Sequence, residues 1–287
     1  MTDRTNLNKS ILTSINSLPV LSSCAVELIA TINSERHSLS EIIEVAECDA
    51  SLTSEIIKLV NSPIYNFPTE ITSLDRAVAL MGEEAIINLA INAATTAIFE
   101  QPLQGYESKP GELWDHDLRT AIASREIAKY ANRETAPQTA YTGGLLHDIG
   151  KSIISKYLKG NASKILKALD QGIIDNFTKA EEKILGTTHP QVGFEIAQYW
   201  HLPEPLPSII KYHHQPSQAP DNYKTLAFCV HLGDIVAMLS GSGTGADTLA
   251  YGIDDEYAQY IKIEKDELLL VMLEVEEKFS KIKNAIF

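Results

Sequence analysis

Gly143-Gly144-Leu145-Leu146-His147-Asp148-Ile149-Gly150-Lys151 is the stretch from which the rest of the chain is best read. Leu145, Leu146, Ile149, Ile153 and Ile154 recur at helical spacing, which predicts a buried helix carrying the imidazole of His147 beside the carboxylate of Asp148. Alone, such a pair is more often hydrogen-bonded or on the surface than half of a metal site. The other histidines give it weight. Six of the eight lie between His116 and His214, at the starts, middles or ends of segments that read as helix, and only His37 and His231 fall outside. Neutral imidazole nitrogen with carboxylate oxygen suits iron, manganese and zinc. Two ions about 3.5 to 4 Å apart generate hydroxide and clamp a phosphate. Spacing by itself does not bring these groups together.

A chain of 287 residues buries a substantial core without disulfides or metal staples, so a metal here would serve function rather than folding. Cys24, Cys48 and Cys229 are far apart, which argues against a disulfide framework or a thiolate zinc site and for a reducing compartment. Residues 1–10 are polar and no apolar run approaches the length of a bilayer, so the expectation is a soluble cytoplasmic protein. A net charge of -14 argues against nucleic acid and anionic membranes as partners. Sparse proline and glycine, abundant Ala, Ile and Leu, and few alternating runs predict an all-α fold.

Along the chain, Leu7, Ile11, Leu12 and Ile15 share a helical face that Pro19 should end, and Cys24 to Ile32 forms a second helix. Ser38 and Glu41 stand in capping-box register ahead of a third, Asp49 caps a fourth that Asn61-Ser62-Pro63 stops, and Thr72-Ser73-Leu74-Asp75 opens a fifth. Residues 101–110 are polar and read as a linker. Glu112 and His116 share a face of the next helix, and Pro190 places His189 at a helix mouth. Ile209 to His214 forms a short helix stopped near Pro216, and Asp234 lies on a buried helix with His231. The expected organisation is an amino-terminal helical part over 1–105, a half containing the histidines over 106–240, and a carboxy-terminal loop and helix over 241–287 packed on the bundle.

Leu18-Pro19, Asp49-Ala50-Ser51-Leu52-Thr53, Ile56 through Tyr65 with its Asn61-Ser62-x-x-Tyr65, and Ile71 through Gly82 resemble the amino-terminal pattern of HDOD domains. These are bacterial all-helical signalling modules related to the HD metal-dependent phosphohydrolases, and the resemblance runs from about Leu18 to Leu239. It implies an HD-type multi-helix bundle with an amino-terminal helical subdomain. His116, His147-Asp148 and Asp234 match the HD signature, and His189, His213 and His214 match the additional ligands of the HD-GYP relatives. By this resemblance those seven residues would hold one or two divalent ions, iron or manganese, with zinc or magnesium as alternatives. Asp148 would serve catalysis, Lys151 would face a substrate phosphate, and Glu112 would correspond to an extra carboxylate.

After His214, Gln215-Pro216-Ser217-Gln218-Ala219-Pro220 stands where the relatives carry a glycine-tyrosine-proline loop, which removes the reason to name a cyclic dinucleotide. Other motifs lead nowhere. Gly150-Lys151-Ser152 has Leu145 where a P-loop needs glycine, and Gly241-Ser242-Gly243-Thr244-Gly245 reads as a flexible connection. His201 reads as a cap or surface residue and His231 as a packed histidine, with orientation of Asp234 as its alternative role. Two functions follow. One is a regulatory protein that binds a signalling partner; the other is a phosphohydrolase acting on a phosphate-containing small molecule.

Overall fold

In a computed structural model the chain folds into helices, with no strand among the described residues and a lone bridge between Ala131 and Ile261. The structure describes residues 2–286 apart from 17, 19, 20, 35, 36, 100, 134 and 249; Pro19, read above as a helix stop, lies outside them. Two compact units emerge, Met1–Pro19 with Ile98–Leu273, and Val20–Ala97 with Glu274–Phe287.

In chain order, α1 (Thr2–Ile15) belongs to the larger unit, and α2 (Ser23–Ile32), α3 (Leu39–Glu47), α4 (Ala50–Val60) and α5 (Leu74–Met81) build the smaller one, which α6 (Glu83–Phe99) leaves at its end. Local chemistry sets these helix starts. Ser38 Oγ accepts the Glu41 amide at 3.3 Å while Glu41 Oε2 accepts the Ser38 amide at 2.8 Å, which is a complete capping box. Asp49 Oδ1 accepts the amides of Ser51 and Leu52 at 3.0 and 3.1 Å. Past the end of α4, Asn61 donates to the carbonyls of Ile57 and Ile71 and accepts the Ile71 amide at 2.8 Å, tying the loop back on the helix. The inner faces are apolar: Leu28, Ile29, Ile42, Ile56, Val60 and Ala77 are buried.

The larger unit continues with α7 (Glu112–Ala128), α8 (Pro137–Leu146), α9 (Lys151–Leu158), α10 (Ala162–Asp170), α11 (Phe177–Leu185), α12 (His189–Tyr199), α13 (Leu206–Tyr212), α14 (Lys224–Leu239) and α15 (Lys265–Ile286), whose last residues belong to the smaller unit. Its centre is α14, apolar on nearly all sides and packed on α7 and α8. Glycine permits that closeness: a Cβ at Gly233 would lie 2.2 Å from Ser124 Oγ. Gly150 does the same for α9 and α12, since a Cβ there would lie 2.0 Å from the His189 carbonyl oxygen.

The helix predicted through His147 and Asp148 is two helices. Between α8 and α9, residues 147–150 form a tight turn whose amides reach three residues back, Ile149 to Leu146 at 3.1 Å and Lys151 to Asp148 at 2.9 Å. The cause lies in His147, whose Nδ1–H takes the Gly144 carbonyl at 2.8 Å and so competes for the backbone acceptor that would continue α8.

Candidate metal centre

Helix α7 supplies His116, the α8–α9 turn His147 and Asp148, the first residue of α12 His189, the turn after α13 His213 and His214, and α14 Asp234. All seven converge. Except for His214, which keeps an accessible edge, each is at most 2% exposed.

Backbone and side-chain oxygens fix the direction of four rings. Nδ1–H donates from His116 to the Ser242 carbonyl at 2.7 Å, from His147 to Gly144, from His213 to the Ile210 carbonyl at 2.7 Å, and from His189 to the Glu181 carboxylate at 2.9 Å. With Nδ1 donating, the neutral rings of His147, His189 and His213 present an Nε2 lone pair, while His116 Nε2 faces Asp234 as a hydrogen-bond partner, and all four Nε2 atoms point inward. His189 Nε2 lies 3.3 Å from His213 Nε2, 3.0 Å from His214 Nε2 and 3.3 Å from Asp148 Oδ1. On the other side of Asp148, Oδ2 lies 3.5 Å from His147 Nε2 and 3.8 Å from His116 Nε2, which faces Asp234 Oδ1 at 3.1 Å. Asp148 thus belongs to two ligand groups, one with His189, His213 and His214 and one with His116, Asp117 and His147.

These distances fit an ion better than a hydrogen-bond network. Two donors held at about 2.1 Å by one ion stand roughly 3.0 Å apart at a right angle and 3.4 Å apart at the tetrahedral angle. Lone pairs facing each other at that range repel unless a cation lies between them. His147 Nε2, Asp148 Oδ1, Asp234 Oδ2 and His214 Nδ1 are moreover buried without a hydrogen-bond partner. A fold does not keep several such atoms for stability.

For His213, His214, His147, Asp148 and Asp234 the electrostatics favour the ligand form, and His116 is the exception. Burial, reinforced by neighbouring histidines, holds His213 and His214 well below the usual histidine range, so both are neutral near pH 7. Burial also lowers His147 despite Asp148 and Asp234. Burial works against ionisation of Asp148, but His147, Lys151 and His189 outweigh it and hold the carboxyl well below its normal value. Asp234 follows the same pattern, its burial overcome by the His116 hydrogen bond and the nearby imidazoles, and comes down to about 2. For His116 the burial cost is outweighed by Asp234 and Asp148, with a net upward shift.

Lys151 is buried. Its Nζ lies 2.6 Å from Asp148 Oδ2 and 2.5 Å from Asp247 Oδ2 and donates to Thr244 Oγ1 at 2.8 Å, so its three N–H groups are engaged. Glu112 stays outside the cluster: at the start of α7 its carboxylate turns back to accept the Lys109 amide at 2.8 Å and the Ser108 hydroxyl at 3.1 Å. His201 is exposed, with φ 57° just past α12. His231 is packed. Its Nδ1–H donates to the His213 carbonyl at 2.8 Å and its Nε2 accepts the Asp254 amide at 2.9 Å, so it steadies the backbone of His213 rather than Asp234.

Three acids escape a reading of the sequence. Asp117 is fully buried with both oxygens lacking hydrogen bonds and Oδ1 3.7 Å from His147 Nδ1; burial, then the Asp148 charge, pushes it well above the usual range. Its signal was the His-Asp doublet at 116–117, which repeats that at 147–148. Glu181 orients His189 and also accepts the Tyr106 hydroxyl at 2.6 Å; it betrays itself by occupying the inward stripe of α11 with Phe177 and Leu185. Asp247 follows the glycine-rich stretch, which is no loose connection: Thr244 and Asp247 are buried and Ala246 donates to the Tyr106 carbonyl at 2.6 Å. This segment closes over the ligands. The gap among His116, Lys151, Asp234, Asp247 and Tyr251 is too small for a water-sized sphere, and Tyr251 stacks on His214 at 3.9 Å between ring centres.

The family model for the HDOD domain matches residues 18–216. An uncharacterised protein of Treponema pallidum (strain Nichols) is 26% identical over 226 residues, covering 78% of this chain and 43% of its own length, so the chain spans less than half of that relative. Two solved structures share the fold. A protein of Marinobacter aquaeolei VT8, named a candidate signal transduction protein, superposes with a TM-score of 0.75 at 17% identity over 98% of this chain and 64% of its own. One of Shewanella amazonensis SB2B, named a candidate phosphohydrolase, gives 0.68 at 23% identity over 96% and 98%.

Proposed function

The chain belongs to the HDOD domain family, and on that premise we propose that it is a regulatory protein built around a divalent metal centre, acting through a protein partner. The observation that carries the metal is the convergence of four Nε2 atoms, each set by a bonded Nδ1–H, on the carboxylate of Asp148. Iron or manganese suits the mixed nitrogen and oxygen set. Two positions that share Asp148 would account for the two ligand groups, His189, His213 and His214 on one side and His116, Asp117 and His147 on the other, with Asp234 facing His116 at 3.1 Å. A role in signalling rather than turnover is supported by the closed segment above the ligands, which leaves no room for a water-sized sphere among His116, Lys151, Asp234 and Asp247. The exposed Leu269, Leu270 and Leu273 of α15 offer apolar surface for a partner.

The completeness of the ligand set supports a second reading, metal-dependent phosphohydrolysis. A bound divalent pair would supply a nucleophile at neutral pH and charge against a phosphate. Asp148 and Asp234 would hold the pair, His189 would be kept in its ligating tautomer by Glu181, and Lys151 would offer positive charge once freed from Asp247. Metal analysis of protein purified without added ions, followed by assay of a generic phosphodiester with manganese or iron, separates the readings. Retained metal without turnover is the expected result. Turnover that His147→Ala abolishes would favour the hydrolase, and protein without metal would contradict both.

A further inference from the structure

Asp247 occupies an unusual position for a loop residue. It is 1% exposed, and its carboxylate accepts from the Lys151 ammonium at 2.5 Å, the Thr244 hydroxyl at 2.7 Å and the Tyr251 hydroxyl at 2.8 Å. One cation and two hydroxyls around a buried anion form the kind of cradle that binds a phosphate oxygen pair. The cradle adjoins the metal ligands, because the same ammonium lies 2.6 Å from Asp148 Oδ2. Among the described partners of Lys151, Asp247 is the acid that belongs to neither ligand group.

We propose that Lys151, Thr244 and Tyr251 form an oxyanion site beside the metal centre, that the chain's own Asp247 fills it, and that a phosphate-class anion takes it when Asp247 is removed. The proposal rests on the metal-centre reading for its neighbour, but the cradle itself is made of protein groups alone. A tethered carboxylate acts at an effective concentration on the order of millimolar or higher, so dilute phosphate cannot displace it. The segment is seated firmly. Gly245, at φ 109°, lies so close to residue 106 that a Cβ would stand 2.2 Å from its carbonyl oxygen, and Ser242 holds His116 through its own carbonyl. Displacing Asp247 would therefore loosen both the anion site and one ligand, coupling the state of the segment to the centre beneath it.

The test uses full-length protein and inorganic phosphate. Wild type and Asp247→Ala are loaded with manganese and titrated by calorimetry, while broadening of the phosphorus NMR line reports whether phosphate lies beside the paramagnetic ion. Asp247→Ala should bind phosphate at least about tenfold more tightly than wild type, as expected for regaining a charge-assisted contact, and should broaden the line. The double variant Lys151→Met with Asp247→Ala, which removes the ion pair as a whole, should lose the gain. If Asp247→Ala does not fold, Asp247→Ser, which is short enough to vacate the cradle as well, takes its place. A folded, manganese-loaded variant with wild-type affinity overturns the anion site, as does a gain that survives Lys151→Met. A parallel titration of chelator-treated protein keeps the two readings apart. Wild type that retains no metal, with the gain still present in the metal-free variant, supports the anion site and sinks the metal centre; retained metal with no gain does the reverse.

Discussion

The two units of this molecule bury different things. In the smaller unit no charged side chain among the described residues is buried, and its helices are accounted for by caps, apolar stripes and the Asn61 tie. In the larger unit α7 alone buries His116, Asp117, Arg125 and Glu126, and α14 adds His231 and Asp234. Hydrophobic burial and local hydrogen bonding account for the helices of the first unit. They do not explain the second, where desolvated carboxylates cost several kcal/mol each unless something pairs with them. The difference teaches where to look for function: at the polar atoms whose retention stability does not require.

The comparison breaks most sharply at Asp148. Asp148→Ala should remove one donor from both ligand groups and lower metal affinity by more than about 100-fold, measured as metal content after dialysis against a weak chelator. A core truncation in the smaller unit should do the opposite. Ile29→Ala, at a fully buried position, should destabilise folding by about 2–5 kcal/mol in urea titrations and leave metal content per folded chain unchanged. Glu181→Gln, which keeps the shape but weakens the hold on His189 Nδ1, should lower metal affinity by about 10- to 100-fold.

Acid sharpens the contrast further. His213, His214 and His147 have folded pKa values depressed from the unfolded value of about 6.5, so below that pH the unfolded chain binds more protons and stability falls. His116, with its raised value, gains stability from the same change and offsets part of the loss. The metal-free protein should therefore lose roughly 1 kcal/mol or more per pH unit as pH drops from 6.5, read from thermal melts at pH 7.5 and 5.5. The smallest effect belongs to the smaller unit: Ser38→Ala should cost about 1 kcal/mol through the lost cap and leave metal binding alone.

What could be read from residue order follows the same division. Caps are local, so Ser38 with Glu41 and Asp49 ahead of Leu52 were legible without coordinates. The seven ligand candidates were legible through their chemistry and family resemblance, although only the packing of α7, α8, α12 and α14 shows that they meet. Periodicity concealed three features. The break at residues 147–150 arises from a side chain competing with the backbone, which no apolar pattern records. Glu181 was masked by an otherwise ordinary amphipathic helix, and Asp247 by a glycine-rich stretch whose burial depends on contacts with residues 106 and 151, far away in the chain. Periodicity likewise marks α1 and α15 as helices without revealing which unit each end joins.

We infer that the inward-facing imidazoles and the carboxylate of Asp148 form a metal centre rather than a polar core. Anomalous diffraction from crystals of protein purified without chelator, collected above and below the iron and manganese edges, tests it most directly. Peaks are expected on both sides of Asp148, within bonding distance of His189, His213 and His214 on one and of His116, His147 and Asp234 on the other. A flat anomalous map over side chains that keep these positions would contradict it.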